Sequence, residues 1–262
     1  MKIIVLVKEV PDSNEIRIDP IKGTMIRDGV PSIINPDDKA AIEQALVLKD
    51  RFGGEVTVLT MGPPQAKNSL REAYAMGVDK CILLSDRKFA GADTLATSNA
   101  LAAALRELDY DLIIAGRQAI DGDTAQVGPQ TAEHLGLPLV SYVTELDYDI
   151  DSNKILLKRV IEDGYYKMRS SLPCVITMLK DANKPRYMTV NGIWECFDKD
   201  IEVWTVDNIT VDEEKLGLKG SPTRVVKSFS KGAKGAGTIH KDLDPKVASR
   251  VIIEKLREKF IV

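Results

Sequence analysis

The sequence is poor in the residues that build metal centres and disulfide frameworks. It has three cysteines, which are odd in number and far apart, and two histidines, His134 and His240. No Cys-x-x-Cys pair occurs, so an iron–sulfur cluster, structural zinc or a disulfide scaffold has no signature here. We expect no metal site, and we expect these cysteines and histidines to be structural or surface residues.

Strong charge and long apolar runs are also missing. The formal net charge of −3 provides no basic field for nucleic acid or an anionic membrane. The longest apolar runs, such as residues 3–7, are too short to cross a bilayer, and the start of the chain lacks a signal-peptide pattern. We therefore expect a cytoplasmic protein that binds no nucleic acid and inserts into no membrane.

Strand and helix patterns alternate over the first half of the chain. Buried strands are predicted at residues 2–7, 55–60, 80–84 and 112–115. Helices are predicted between and after them, at residues 36–49, 64–76, 93–108 and 126–135. Asn35 and Pro36 read as a capping residue and a first helical position. This alternation predicts the α/β class, with a doubly wound, mostly parallel, Rossmann-like sheet.

The pattern changes after residue 139. Two strand-like runs flank Asp163-Gly164, which is a hairpin signal, and residues 172–178 form a further strand-like run. We therefore expect a mixed or antiparallel extension of the sheet. Residues 10–32 are loop-like, although the alternation at Ile16 and Ile18 allows a small hairpin.

The end of the chain has a different composition. Residues 230–241 are too rich in glycine to pack alone, and residues 244–259 predict an amphipathic helix. We divide the chain into an α/β domain, residues 1–222, and an arm with a helix, residues 223–262. The residues alone leave open whether this helix folds back on its own domain or docks on a partner.

The richest candidate site follows the fourth predicted strand. Residues 116–129 leave the carboxyl end of that strand, contain glycines, and open a helix whose first amides could bind an anion. The segment is neither a Walker loop nor Gly-x-Gly-x-x-Gly, and a capped helix start with an acidic turn is the alternative. Its candidate binding residues are Gly116, Arg117, Gln118, Asp121, Gly122, Asp123, Thr124, Ala125, Gln126 and Val127.

Smaller patches follow the other three strands. They are Lys8 after the first strand, Met61 and Gly62 after the second, and Asp93, Thr94 and Thr97 after the third. Each patch is weak alone, and Asp93 also reads as an ordinary helix cap. Parallel strands end at one edge of a sheet, so we expect the patches to share a site. No carboxylate pair or Ser-His pair accompanies them, so we assign no catalytic residue and expect any chemistry to come from a cofactor.

Together these motifs resemble the β subunit of electron-transfer flavoproteins over nearly the whole chain. The likeness rests on Val-Lys-Glu-Val-Pro-Asp at 7–12, Asn-Pro at 35–36, Met-Gly-Pro at 61–63, Ala-Tyr-Ala-Met-Gly-Val-Asp at 73–79, Gly-Arg-Gln-Ala-Ile-Asp at 116–121 and Pro-Arg-Tyr at 185–187. In the family's ordinary branch the β subunit holds a structural AMP. In its electron-bifurcating branch the β subunit holds an FAD that takes a hydride from NADH; one electron goes toward ferredoxin and the other, through the α-subunit FAD, to a partner dehydrogenase.

Two stretches, residues 91–98 and 121–128, are similar to the bifurcating branch because small and hydroxyl-bearing residues leave room for a longer ligand. The resemblance implies FAD, with AMP as the alternative, NADH as a substrate, and a subunit of an oxidoreductase complex, not a stand-alone enzyme. It implies the adenine half near Lys8, Met61 and residues 122–127. The flavin part would then face Asp93, Thr94 and Thr97.

The resemblance also implies partners. Residues 185–192 are similar to the family's recognition loop for the dehydrogenase, with Tyr187, Val190 and Gly192 as docking residues. Val190 stands where a larger apolar residue is expected, so the partner is open between an acyl-CoA dehydrogenase, our first expectation, and a flavin-dependent lactate dehydrogenase. An α subunit, wrapped by the C-terminal arm in a heterodimer, and ferredoxin complete the implied set. The loop and the arm disfavour a universal-stress-type nucleotide-binding domain, which the fold alone would permit.

Overall fold

A computed structural model describes residues 1–12, 31–226, 235 and 237–261 of this chain. One large sheet contains β1 (Lys2–Val7), β4 (Glu55–Met61), β5 (Lys80–Leu84), β6 (Leu112–Gly116), β7 (Leu139–Asp149), β8 (Lys154–Ile161), β9 (Gly164–Ser171), β10 (Cys174–Met178) and β11 (Ile201–Trp204). A separate antiparallel pair consists of β2 (Glu9–Pro11) and β3 (Ser32–Ile34). The helices are α1 (Pro36–Phe52), α2 (Lys67–Met76), α3 (Thr94–Arg106), α4 (Val127–Leu135), α5 (Val190–Glu195) and α6 (Pro245–Glu258).

The strand order of the large sheet is β11-β5-β4-β1-β6-β10-β7-β8-β9. The strands from β11 to β7 are parallel, whereas β8 and β9 run antiparallel to their neighbours. From β1 the chain builds β4 and β5 on one side and then crosses to place β6 on the other. The strand order therefore reverses between β1 and β6. In doubly wound sheets, ligands bind outside the carboxyl ends of the strands at such a reversal.

Both faces of the parallel sheet are buried. Along β1, Val5 belongs to the apolar cluster that α1 and α2 cover, while Leu6 belongs to the cluster that α3 and α4 cover. Successive side chains of a strand point to opposite faces, so a strand covered on both sides needs an unbroken apolar run. This is why the short continuous runs of the sequence correctly indicated parallel strands.

The predicted α/β class with a mostly parallel sheet and an antiparallel extension is confirmed, but one strand was placed wrongly. Residues 172–178 were expected in the mixed or antiparallel extension, yet β10 lies between β6 and β7 and is parallel to both. All five of its residues are buried, as in a central strand. The strands β7 and β11 were not predicted, because β7 is half-exposed and β11 has only four residues.

Parts of the terminal predictions fall outside the described residues. This applies to the hairpin expected at Ile16 and Ile18 and to residues 230–234 and 236 of the glycine-rich arm. The predicted last helix is present as α6, and none of its side chains is buried. The division at residue 222 stays a prediction. Within the described ranges, no helix has the length and apolar character needed to span a membrane.

Candidate functional site

The carboxyl ends of β1 and β6 are joined by one carboxylate, that of Asp38 in the first turn of α1. We call the region just beyond these two strand ends the crevice. One carboxylate oxygen, Oδ2, accepts a hydrogen bond from the backbone N–H of Lys8 at 2.8 Å. The other, Oδ1, accepts one from the N–H of Gly116 at 3.1 Å. A single side chain thus joins the carboxyl ends of the two strands between which the sheet order reverses. A side chain at Gly116 would overlap Asp38, because a Cβ there would lie 2.1 Å from Oδ1.

Two neighbours of Asp38 hold the segments on either side. The Asn35 side chain donates to the carbonyl of Gln118 at 2.8 Å and accepts from the N–H of Ile120 at 3.1 Å. Asp37 accepts from the N–H of Lys180, just beyond β10, at 2.9 Å. Asn35 is the N-cap residue of α1, as predicted, but its side chain makes no capping hydrogen bond. The amide binds the loop after β6 instead.

The loop after β6 adopts a backbone that few side chains tolerate. Asp123 and Ala125 have φ angles of 55° and 53°, in the left-handed region. Gln126 returns to the right-handed helical region immediately before α4. A left-handed residue followed by a right-handed one turns successive N–H groups toward one concave side, the arrangement of anion-binding nests. Left-handed non-glycine residues cost about 1–3 kcal/mol each and cluster at functional sites.

The acids of this loop are already paired. The Lys8 ammonium lies 2.7 Å from Oδ1 of Asp121, and the Gln118 amide donates to the carboxylate of Asp123. The Arg117 guanidinium sits beside Asp37, with Nε 3.4 Å from Oδ2. These contacts offset the negative charge that would otherwise repel a phosphate. The donors left for an anion are the amides near the start of α4 and the Thr124 hydroxyl.

Space at the turn is open. A Cβ added at Gly122 would meet no atom within 4 Å. Nothing in the chain therefore requires glycine there, and its small size leaves room for a ligand to approach the backbone closely.

The start of α3 lies against the start of α4. The Thr94 hydroxyl donates to the Gln126 side chain at 2.8 Å, so the predicted patch after β5 and the loop after β6 meet directly. Thr97 lies one turn further along α3 and is half-buried. Met61 and Gly62 end β4, which neighbours β1 in the sheet. The structure thus brings the predicted site residues to one edge of the sheet, and their binding roles remain predictions.

Asp93 is committed to structural contacts. Its Oδ1 accepts from the N–H groups of Leu95 and Ala96 and caps α3. Its Oδ2 accepts from the N–H and the hydroxyl of Thr223, at 3.0 and 2.8 Å. Burial acts to raise the pKa of Asp93, but the hydrogen bonds from Ala96 and Thr223 hold the pKa below its usual range. The Asp93 carboxylate therefore binds Thr223, where the predicted C-terminal arm begins, to the start of α3.

The predicted docking residues lie on another surface, around α5. Tyr187 and Val190 are 87% and 84% exposed. Gly192 has a packing role in this geometry, and its docking role stays a prediction. A Cβ there would lie 2.4 Å from the carbonyl oxygen of Ala75, so glycine lets α5 pack closely on α2.

Within the described ranges, no metal site and no exposed thiol offers an alternative to this candidate site. There, no group of three His, Cys, Asp or Glu side chains is arranged to hold a metal ion. Cys81, Cys174 and Cys196 are buried free thiols. Burial raises the pKa of Cys81 and of Cys174, which keeps these two thiols protonated and unreactive.

Comparison with known proteins identifies the family. The electron transfer flavoprotein domain model matches residues 22–209. The chain belongs to the electron transfer flavoprotein family, among its β subunits. It is 55% identical over 262 residues to the electron transfer flavoprotein subunit beta of Clostridium acetobutylicum, and the match covers 100% of both chains. Its role is accordingly in electron transfer, and the family's cofactors are flavin and AMP.

Two further relatives belong to named reductase systems. The caffeyl-CoA reductase-Etf complex subunit CarD of Acetobacterium woodii is 50% identical over 264 residues, covering 100% of both chains. The acryloyl-CoA reductase electron transfer subunit gamma of Anaerotignum propionicum is 47% identical over 271 residues, again covering 100% of both. Relatives of this electron transfer flavoprotein subunit therefore include components of complexes named for acyl-CoA reductases.

The candidate site contains residues that the sequence patterns did not mark as binding residues. Asn35, Asp37 and Asp38 bind strand ends and the loop after β6, although they read as ordinary residues of a helix start. No sequence signal separates an acid that serves its own helix from one that binds neighbouring strand ends. The signal that existed was position, because these residues open the first helix after β1, where the site of a doubly wound sheet lies.

The Asp38 contact predicts a pH dependence of stability. Burial raises the pKa of Asp38 from 3.8 to about 7, against the opposing hydrogen bonds from Lys8 and Gly116. Between these values the native protein keeps a proton that the unfolded chain has lost, so this residue's contribution falls as the pH rises from 4 to 7. The Asp38→Asn variant cannot titrate. It also turns an N–H group toward a backbone donor, which costs about 1–3 kcal/mol.

Urea unfolding followed by circular dichroism checks this expectation. The wild type is expected to be more stable than Asp38→Asn at low pH, with the difference shrinking as the pH rises toward neutrality. Parallel pH profiles for the two proteins would contradict the assignment.

Proposed function

We propose that this chain is the FAD-binding β subunit of an electron-bifurcating electron transfer flavoprotein. A bound FAD would accept a hydride from NADH and divide the two electrons between ferredoxin and, through the FAD of an α subunit, a partner flavin dehydrogenase. The protein works as a subunit of this oxidoreductase complex and not alone. The cytoplasmic location stays a prediction from the sequence.

The contact between Thr94 and Gln126 carries this proposal. In this contact the hydroxyl-bearing first turn of α3 lies beside the turn before α4, which we propose to bind phosphate. A ligand lying on residues 122–127 can therefore extend along α3, past Thr94 and Thr97. AMP would end at the phosphate, whereas the ribityl chain and ring of FAD would continue into this space.

The chain's own residues would bind and orient the cofactor. The amides of Ala125, Gln126 and Val127 suit the pyrophosphate, because a nest at a helix start presents N–H groups to an anion. Lys8 and Met61 flank the same edge and suit the adenine nucleotide half. Asp38 and Asn35 would act by holding the strand ends and the loop in place.

The alternative is an ordinary electron carrier in which this subunit holds a structural AMP. One observation favours it. The Asp93 carboxylate, which we expected to face the flavin part, is occupied by Leu95, Ala96 and Thr223. On α3, only the hydroxyls of Thr94 and Thr97 then remain from the predicted set for a longer ligand.

Cofactor content decides between the two functions. We expect the purified αβ complex to contain two FAD per heterodimer, one in each subunit, and to oxidise NADH. In this subunit one extended FAD would fill both the turn at residues 122–127 and the start of α3. The measurement is acid release of the cofactors followed by chromatography and quantification. One FAD together with one AMP would overturn the bifurcating assignment and establish the alternative.

The phosphate turn can be tested by a variant that the fold tolerates. Gly122→Val puts a branched side chain where a Cβ meets no atom within 4 Å, so folding is expected to be intact while the ligand is blocked. We expect loss of most of the nucleotide bound in the β subunit, with an unchanged circular dichroism spectrum. Glu162→Val, at an exposed position in the β8–β9 turn, is the control. Full occupancy in Gly122→Val would refute the placement.

Two surfaces are proposed to bind partners. The helix α6 has an amphipathic sequence and buries none of its side chains within the described chain, which suits the family expectation that it docks on the α subunit. The surface around α5 is proposed to bind the dehydrogenase, for which an acyl-CoA type is our first choice. The names of two relatives, which include caffeyl-CoA and acryloyl-CoA reductases, support that choice. Ferredoxin is proposed as the second acceptor.

The docking assignment predicts the effect of a charge at Val190. Val190→Asp should slow reduction of the dehydrogenase by the complex about tenfold or more, because a buried apolar anchor at an interface contributes about 2 kcal/mol. NADH oxidation with an artificial acceptor should not change. Asn191→Asp introduces the same carboxylate at the adjacent exposed residue and should have a much smaller effect. Unchanged coupled turnover in Val190→Asp would show that the docking surface lies elsewhere.

A further inference from the structure

The proposed docking surface is a short segment with unusually exposed apolar side chains. Tyr187, Val190, Trp194 and Phe197 are between 66% and 87% exposed. Such side chains on a mobile loop would have to be ordered when a partner binds, and that ordering weakens affinity. The segment is instead fastened at both ends.

The first fastening is Arg186, immediately before Tyr187. Its Nε and Nη2 lie 2.9 and 3.1 Å from the two carboxylate oxygens of Glu43, so the pair is bidentate. Its backbone N–H also donates to Glu43, at 2.9 Å, and Nη2 reaches Asp50 at 2.8 Å. Glu43 is only 7% exposed. One arginine thus ties both the backbone and the guanidinium to α1.

The second fastening is on α2. The N–H of Thr189 donates to the carbonyl of Ala75, and its hydroxyl caps α5 through the N–H of Gly192. Arg71 donates to the carbonyl of Cys196 at 3.0 Å, and its guanidinium carbon lies 4.8 Å from the centre of the Phe197 ring. Residues 187 and 188 therefore connect Arg186, which is bound to α1, to Thr189, which is bound to α2.

The two fastenings differ in chemistry. The α2 fastening joins a backbone hydrogen bond from Thr189 to two contacts of the Arg71 side chain, and it holds α5 and the end of the segment. The α1 fastening includes the backbone N–H of residue 186, but its side-chain part is one guanidinium, whose planar fork fits a carboxylate as lysine cannot. Removing Arg186 is therefore the change that would release the start of the segment while leaving α5 packed.

We propose that Arg186, through Glu43 and Asp50, is the positioning residue that pre-organises the docking segment for its partner dehydrogenase. This inference rests on the docking role assigned above. It adds that affinity for the partner depends on a residue that does not itself contact the partner. The same helix, α1, contributes Asp38 to the proposed cofactor site. The cofactor site and the docking segment are therefore both attached to α1.

The test uses the αβ complex and two readouts. The first is the time-resolved fluorescence anisotropy of Trp194 in a complex where Trp204 and every tryptophan of the α subunit are replaced by phenylalanine, which reports local mobility of the segment without the dehydrogenase. We expect Arg186→Ala to add a fast depolarising component and Arg186→Lys to add a smaller one. Arg51→Ala is the matched control, because Arg51 also lies on α1 but in an exposed ion pair with Asp147 of β7. Equal anisotropy decays in all four proteins would overturn the proposal.

The second readout is electron transfer to a purified acyl-CoA dehydrogenase at varied concentrations of the complex. We expect Arg186→Ala to raise KM on the order of tenfold, with kcat, FAD content and NADH oxidation by an artificial acceptor unchanged. A fall in kcat at constant KM would refute the positioning role. If the wild-type complex does not reduce this dehydrogenase, the proposed partner class fails, and the anisotropy alone decides the role of Arg186.

A further variant removes the risk of misfolding. Arg186→Ala leaves the Glu43 carboxylate buried without its partner, which can destabilise the protein. The double variant Arg186→Leu/Glu43→Leu removes both charges together and should reproduce the added mobility and the higher KM. A double variant with wild-type anisotropy and KM would show that the pair does not position the segment.

Discussion

The buried Asp38 carboxylate is the contact on which the rest of the structure depends. At the reversal of a doubly wound sheet two strands end side by side and their loops diverge, so backbone N–H groups there lose strand partners. A helix side chain supplies the acceptor for both, at Lys8 and at Gly116. Because the carboxylate occupies this space, Gly116 can carry no side chain.

The Asp38 contact also fixes the position of α1. Its first turn is bound to strand ends, and its middle is bound to Arg186 through Glu43. The crevice proposed for a nucleotide and the surface proposed for a dehydrogenase are thus held in a constant geometry.

The sequence predicted the part of the fold that local patterns control. Unbroken apolar runs identified the parallel strands, and glycine and proline signals bounded the helices. It could not predict that β10 lies between β6 and β7, because the order of strands in a sheet is set by long-range packing and not by periodicity. The candidate site was predicted by its place at the strand ends. Asn35 and Asp38 were missed because they resemble an ordinary helix start.

Asp93 is the opposite case, because the sequence marked it as a binding residue and the structure gives it structural contacts. Its sequence context allowed both a helix cap and a cofactor contact, and the structure gives it the cap together with a tether to Thr223. A residue beside a site can therefore matter to that site by holding the chain that leaves it. The arm begins at this tether, so its path starts from a point fixed beside the crevice.

The insertion of β10 between β6 and β7 has a consequence for synthesis on the ribosome. When β6 emerges, one edge of it stays open until residues 174–178 have been made, because its final neighbour is β10. During that interval the chain makes β7, β8 and β9, whose antiparallel pairing is local in sequence and therefore does not have to wait for β10. The sheet becomes continuous only when β10 joins β6 to the strands made after it.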